Sequence, residues 1–342
     1  MLEIAILIVL FAFAFTFTNG FQDASSIAAT FIASRSASPK AGILLVSGMS
    51  FLGAILGGSA VAFTLAGLVV LPSVDAMLVV LLVALLAASS WNIITRRFDL
   101  PSSSTHGLVG GLIGGGMAAA GAGCVTWGFD ELLSPAHELT GLSLILVFFV
   151  ISVLIGFFGS YFMYRVTAVL LRNAKRSVNT TLVRLNWIAA AVMAFFNGAN
   201  DTQKQMGIIA VALAAAGGAA VSVVPFWVRC TCAVLLAAGT VSGGWGIMKT
   251  LGNRIFKMSP VHSFDSQFFS AASLGLSTIA GAPVSSTQVI TMSVLGVGAA
   301  ENPRKVRWTT GKKILITMAV TILVTMGIAF VFYRIVAPFA GV

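Results

Sequence analysis

Apolar runs recur near residues 1–18, 41–62, 76–95, 107–123, 139–164, 186–216, 226–248, 263–282, 289–300 and 313–337. Most approach the roughly 20 residues a helix needs to cross hydrocarbon, and their lengths fit helices rather than barrel strands. The first run carries Glu3, has neither a basic flank nor a small-residue cleavage site, and leads straight into polar sequence. It reads as a retained helix, not a signal peptide. Polar residues break the pattern at two related places, Asn19-Gly20-Phe21-Gln22-Asp23 and Asn197-Gly198-Ala199-Asn200-Asp201. Each puts an amide and a carboxylate where a membrane helix should be apolar.

A second pair echoes the first. Pro101-Ser102-Ser103-Ser104-Thr105-His106 recurs as Pro283-Val284-Ser285-Ser286-Thr287-Gln288, and a weaker echo relates Gly57-Gly58 to Gly243-Gly244. Asn197 follows Asn19 by 178 positions, Gly243 follows Gly57 by 186 and Pro283 follows Pro101 by 182. The chain thus divides into a first transmembrane repeat over 1–171, a basic cytoplasmic linker over 172–184 and a second repeat over 185–342. Each half has five spanning segments or their equivalent, an odd number, so the second half enters from the opposite side and the repeats are inverted. The expected fold is an all-α polytopic membrane protein with two inverted-topology repeats. The glycines of the weaker echo are expected to let helices approach closely.

Composition agrees. Hydrophobic residues make up 58% of the chain and charged residues 9%, with mean hydropathy +1.01, far from the ~25% charged fraction of soluble domains. Three cysteines, Cys124, Cys230 and Cys232, lie in or beside apolar runs and suggest neither a disulfide framework nor a metal cluster. The formal net charge of +10 invites a nucleic-acid reading, but the distribution favours topology. Arg35, Lys40, Arg96, Arg97, Arg165, Arg172, Lys175, Arg176 and Arg184 fall in loops of one side, as do Lys249, Arg254, Lys257, Arg304, Lys305, Arg307, Lys312 and Lys313 in the second half. By the positive-inside rule that side is cytoplasmic, with both termini outside and the central basic loop inside a cell membrane. No nucleic-acid partner is expected.

Within each Asn-Gly-x-x-Asp element the amide and carboxylate are four residues apart and share a helix face. Asn19, Asp23, Asn197 and Asp201 therefore offer oxygens suited to a hard cation, and a helix loosened at Gly20 or Gly198 would add backbone carbonyls. The alternative is a capping Asn beside a buried Asp that only joins helices. The Pro-x-Ser-Ser-Thr elements read as helix starts, where proline stops the preceding helix and hydroxyls cap the next. Such termini suit an oxyanion; a proline kink whose serines bond their own helix is the alternative. An anion beside two carboxylates in low dielectric requires accompanying cations or protons. Two buried aspartates also fit an intramembrane aspartyl protease, although that reading leaves the serine blocks unexplained.

At these four blocks, together with Gln203-Lys204-x-Met206-Gly207-Ile208, the chain resembles the inorganic phosphate transporter (PiT) family, and more closely its bacterial low-affinity branch. The resemblance implies a secondary transporter and no enzyme, its duplicated halves containing broken or re-entrant helical hairpins around the Pro-x-Ser-Ser-Thr blocks: symport of inorganic phosphate with sodium ions or protons by alternating access, with no cofactor. It implies that Asn19, Asp23, Asn197 and Asp201 coordinate cations, Asp23 and Asp201 binding sodium if sodium is the coupling ion. Ser103, Ser104, Thr105, Ser285, Ser286 and Thr287 would hold phosphate. Sulfate, another tetrahedral oxyanion, stays open as a passenger, and a homodimer as an assembly. The chain departs from the family pattern at Ser26 and Lys204, where relatives often carry Asn, and at Gln288, where many carry His. His106 either exchanges a proton or serves a structural hydrogen bond. Lys204, one turn beyond Asp201, either pairs with Asp201 or phosphate in place of a transported cation, or snorkels to an interface.

Overall fold

The computed structural model describes residues 2–98, 103–135, 137–175, 177–217, 223–254 and 258–342, with backbone alone at 23–25, 96, 244–254 and 310. Helices dominate: α1 (Leu2–Ala33), α2 (Pro39–Leu56), α3 (Ala60–Ala66), α4 (Val74–Arg97), α5 (Ser104–Ala120), α6 (Phe129–Leu133), α7 (Gly141–Leu154) and α8 (Ser160–Leu170) in the first part of the chain. Then follow α9 (Val178–Gly217), α10 (Phe226–Arg254), α11 (Pro260–Ile279), α12 (Ser286–Glu301) and α13 (Trp308–Ala340). A π-helical turn, Ile155–Gly159, joins α7 to α8 within one span. Among the described residues, seven helical stretches are long and apolar enough to cross a membrane. The stretch 178–184, expected in the linker, forms the first turns of α9.

Glycine governs how the signature helices cross. A Cβ on Gly20 of α1 would run into the Leu236 backbone of α10, and one on Gly198 of α9 into the Ser50 backbone of α2. The partners answer in kind: Gly53 of α2 faces Phe195 and Ala199, and Gly239 of α10 faces Phe17 and Phe21. These contacts map onto each other by the repeat spacings, 178 positions from α1 to α9 and 186 from α2 to α10. Each signature helix therefore packs on the second helix of the opposite half. The expectation of a helix loosened at Gly20 or Gly198 is overturned, since α1 and α9 run unbroken through both glycines. The missing side chain admits a neighbouring backbone instead, and the Thr202 hydroxyl donates to the Gly198 carbonyl.

Two hairpins, α4–α5 and α11–α12, complete the core. The second opens where His262 Nε2 lies 3.5 Å from Glu301 Oε2. Asn186 Nδ2 there donates to Ser36 Oγ at 3.0 Å and to the Pro260 carbonyl at 2.7 Å, binding the α1–α2 turn and the start of α9 to this face. Arg35, Arg304 and Lys305 belong to the same face. The first hairpin opens at the other end of α2–α3, where Val70 N–H donates to the Cys124 carbonyl at 2.8 Å and Thr126 N–H to Leu68 at 2.9 Å. A cavity of about 380 Å³ lies there between the start of α4, the end of α5 and the last turns of α13. Burial pushes the Cys124 thiol up, so it is no ready thiolate.

The tip of the second hairpin follows from local sequence. Gly281 takes φ +71°, a left-handed conformation that glycine adopts without strain. Gly281 N–H donates to Thr278 at 3.1 Å and Ala282 N–H to Ser277 at 2.8 Å, the paired bonds of a Schellman cap. Pro283 then prevents helical continuation, and Ser285 accepts from Gln288 N–H at 3.4 Å to start α12. Ser103 repeats that cap on α5, accepting from His106 N–H at 3.3 Å. Pro101 and Ser102 lie outside the described residues.

Candidate transport site

The two hairpin tips meet deep in the protein, beside the middle of α9. Thr105 Oγ1, at the start of α5, donates to the Val284 carbonyl of the other tip at 3.0 Å. Lys204 Nζ donates to Asp201 Oδ1 at 2.6 Å, Thr105 Oγ1 at 2.6 Å and the Val284 carbonyl at 2.9 Å. Lys204 and Asp201 are 0% and 1% exposed. Ser286 Oγ donates to the second carboxylate oxygen, Asp201 Oδ2, at 3.3 Å. The ammonium thus reaches no interface; it joins one carboxylate and both hairpins. A buried pair survives only when its remaining donors and acceptors are met, and here the described partners supply three acceptors to Nζ.

Two amides of α9, absent from the expected site, organise its surroundings. Asn200 Oδ1 accepts from Val284 N–H at 3.2 Å, while its Nδ2 donates to Thr278 Oγ1 and the Ala282 carbonyl, both at 3.1 Å. It reads the backbone of the second tip from both sides. Gln203 accepts from Val61 N–H at 2.9 Å and donates to the Gly57 carbonyl at 2.8 Å, fixing the bend between α2 and α3. Both lie in the polar block that drew attention in the sequence, yet point away from the Asn197–Asp201 face. The signal available was composition alone: four amides, Asn197, Asn200, Gln203 and Gln205, around one carboxylate within the apolar stretch of α9.

The other expected residues fall as follows. Asn197 and Asn19 are buried; among the described residues neither Asn197 side-chain atom has a hydrogen-bond partner, nor has Asn19 Nδ2. A buried unpaired carboxamide is costly, and the Asn197 oxygen is an acceptor suited to a cation. Asp23 lies on α1, with its side chain outside the described atoms. Ser103 Oγ is 2.7 Å from His106 Nδ1, and that imidazole stacks on Phe149 at 4.0 Å between ring centroids. The His106 bond serves the α5 cap. Ser104 is buried and Thr287 half-buried, and both have partners. Gln288 is buried one turn into α12. The described residues contain no group of three His, Cys, Asp or Glu side chains that would hold a metal ion.

Helices crossing through glycine, hairpin tips meeting at a buried ion pair and the buried amide of Asn197 one turn along α9 from Asp201 fit a multi-pass membrane transport protein. Comparison with known proteins identifies the group. The phosphate transporter family model matches residues 19–329, and the chain belongs to that family. It is 34% identical over 339 residues to a probable low-affinity inorganic phosphate transporter of Bacillus subtilis, covering 98% of each chain. A protein of the same description from Rhizobium meliloti is 34% identical over 307 residues, 89% of this chain and 88% of that one. The solved structure of a sodium-dependent phosphate transporter shares the fold, with TM-score 0.86 and 22% identity over 98% of this chain and 99% of its own. These relatives are transporters, and the chain is not an enzyme; the peptidase reading of the paired aspartates falls with that.

Proposed function

We propose that this protein is a symporter that moves inorganic phosphate across the cell membrane together with sodium ions or protons. Phosphate binds between the capped starts of α5 and α12, where Ser103, Ser104, Thr105, Ser285, Ser286 and Thr287 and the adjacent helix N-termini supply donors. Asn19 with Asp23, and Asn197 with Asp201, take the accompanying cation charge. The observation that carries this reading is the meeting of both hairpin tips at Asp201 and Lys204, a polar centre walled off from both faces. Hydroxyls that now bond protein groups, Thr105 to Val284 and Ser286 to Asp201, would turn to phosphate oxygens when it arrives.

The repeats over 1–171 and 185–342 are inverted in this proposal. Hairpins opening toward opposite faces and the reciprocal glycine contacts support it. Alternating access follows as the hairpin pair rocks against the glycine-locked helices α1, α2, α9 and α10. In this proposal the face of the α1–α2 turn is cytoplasmic and both termini lie outside, a reading that the basic residues on that face support through the positive-inside rule. A homodimer remains compatible with the exposed apolar flanks. The test is uptake of radiolabelled phosphate into proteoliposomes under imposed sodium or proton gradients. Concentrative phosphate uptake driven by either gradient is expected; uptake of sulfate in its place would move the substrate assignment to that oxyanion, and no gradient-driven uptake of either would end the reading.

A further inference from the structure

The two signature helices differ at one position that the repeat makes comparable. Lys204 of α9 corresponds, 178 positions earlier, to Ser26 of α1, which is also buried. We propose that Lys204 is a built-in coupling cation: its ammonium neutralises Asp201 in place of one transported ion, so that fewer mobile cations accompany phosphate. This deepens the phosphate-symport reading and rests on it.

The acceptors around Nζ make the case. A carboxylate oxygen at 2.6 Å, a hydroxyl oxygen at 2.6 Å and a backbone carbonyl at 2.9 Å come from α9, the first hairpin and the second hairpin. That set of hard oxygens from separate elements is what a small metal cation gathers. The ammonium takes the same oxygens and cannot leave with the passenger. Asp201 thus keeps a countercharge in the empty carrier as well as the loaded one, and the mobile cation requirement falls by one relative to a carrier with two ion-binding halves. Because the ammonium also holds Thr105 and Val284, the hairpin tips stay joined until an anion competes for its donors. Phosphate, carrying more charge than one carboxylate, is suited to do so.

Lys204→Asn replaces the ammonium with a neutral amide and vacates its position. In proteoliposomes with a tenfold sodium gradient, one added coupled ion raises the limiting phosphate accumulation about tenfold, and the expected result is that increment in Lys204→Asn over wild type, with one more positive charge moved per phosphate. A parallel arm with a tenfold proton gradient identifies the ion if wild type is proton-driven. An unchanged ion count in Lys204→Asn overturns the proposal. If that variant fails to fold, Lys204→Met, which keeps the stem but has neither charge nor donor, must lose coupled uptake while Lys204→Arg keeps the wild-type ion count. Full coupled uptake by Lys204→Met also overturns it. Absence of phosphate uptake by wild type would instead defeat the underlying symport reading, so the two failures are distinct.

Discussion

The two hairpins share a skeleton and differ in what they bury. Both end in a serine-capped return helix, Ser103 on α5 and Ser285 on α12. The outer leg of the first, α4, buries Leu78, Val79, Val80, Leu81, Val83, Ala84 and Leu85. The outer leg of the second, α11, buries Ser263, Asp265, Ser266, Gln267, Ser270, Ser273 and Ser277. Wetting α4 would cost about 25 cal/mol for each Å² of apolar surface, whereas the polar leg gains partners from water. The difference teaches that matching caps do not impose matching cores: α4–α5 is held by apolar packing, whereas α11 buries hydroxyls and amides, among them Ser273, which donates to the Ser152 carbonyl at 2.9 Å.

Charge separates the halves most sharply. Asp201→Asn strands the Lys204 ammonium, and breaking such a buried pair costs ~3–5 kcal/mol. We expect phosphate uptake to fall by at least ~100-fold, the rate equivalent of ~3 kcal/mol, together with a lower Tm. Asp23→Asn, in the half with Ser26 in place of a lysine, should abolish uptake with Tm near that of wild type. Equal Tm losses would erase the charge asymmetry between halves.

Hairpin packing gives the next largest contrast. Leu85→Ala leaves a cavity in α4 and should cost ~2–5 kcal/mol, read by thermal melting in detergent. Ser270→Ala at a buried site of α11 should be neutral or slightly stabilising, because its hydroxyl has no hydrogen-bond partner and an unpaired buried hydroxyl carries a penalty. A large loss in Ser270→Ala would show that water-mediated bonds hold that face in the closed protein. Asn200→Ala removes three bonds from the second tip, at ~0.5–1.5 kcal/mol for each. Hydrogen exchange should accelerate over 280–285 and stay unchanged at the start of α5. The smallest effect is expected for His106→Gln, which gives the first hairpin the residue of the second. It loses the bond to Ser103 and the stacking on Phe149, ~1 kcal/mol in all, and phosphate uptake should stay within about threefold of wild type.

Much of this was readable from residues alone, for local reasons. Apolar runs marked the spans because hydrocarbon leaves little freedom in composition. Ser103 and Ser285 declared the helix starts because capping is a local bond. The spacing of 178 positions between signature blocks reappears as the correspondence between Gly20 and Gly198 in space. What escaped depended on distant partners. The role of Gly198 was set by Ser50, far away in sequence, so a glycine expected to loosen its helix instead admits a backbone. Asn200 looked like part of the cation motif until the tip of another helix pair came to rest on its other face.

The reciprocal seating of α1 on α10 and of α2 on α9 has a consequence for biosynthesis. While the early part of the chain is being made, Gly20 and Gly53 offer bare backbone grooves whose occupants have not yet left the ribosome. Neither portion can reach its final packing in isolation. Two separately translated fragments, 1–171 and 172–342, should therefore be degraded when made singly and rescued when made together, as mutual obligates in assembly.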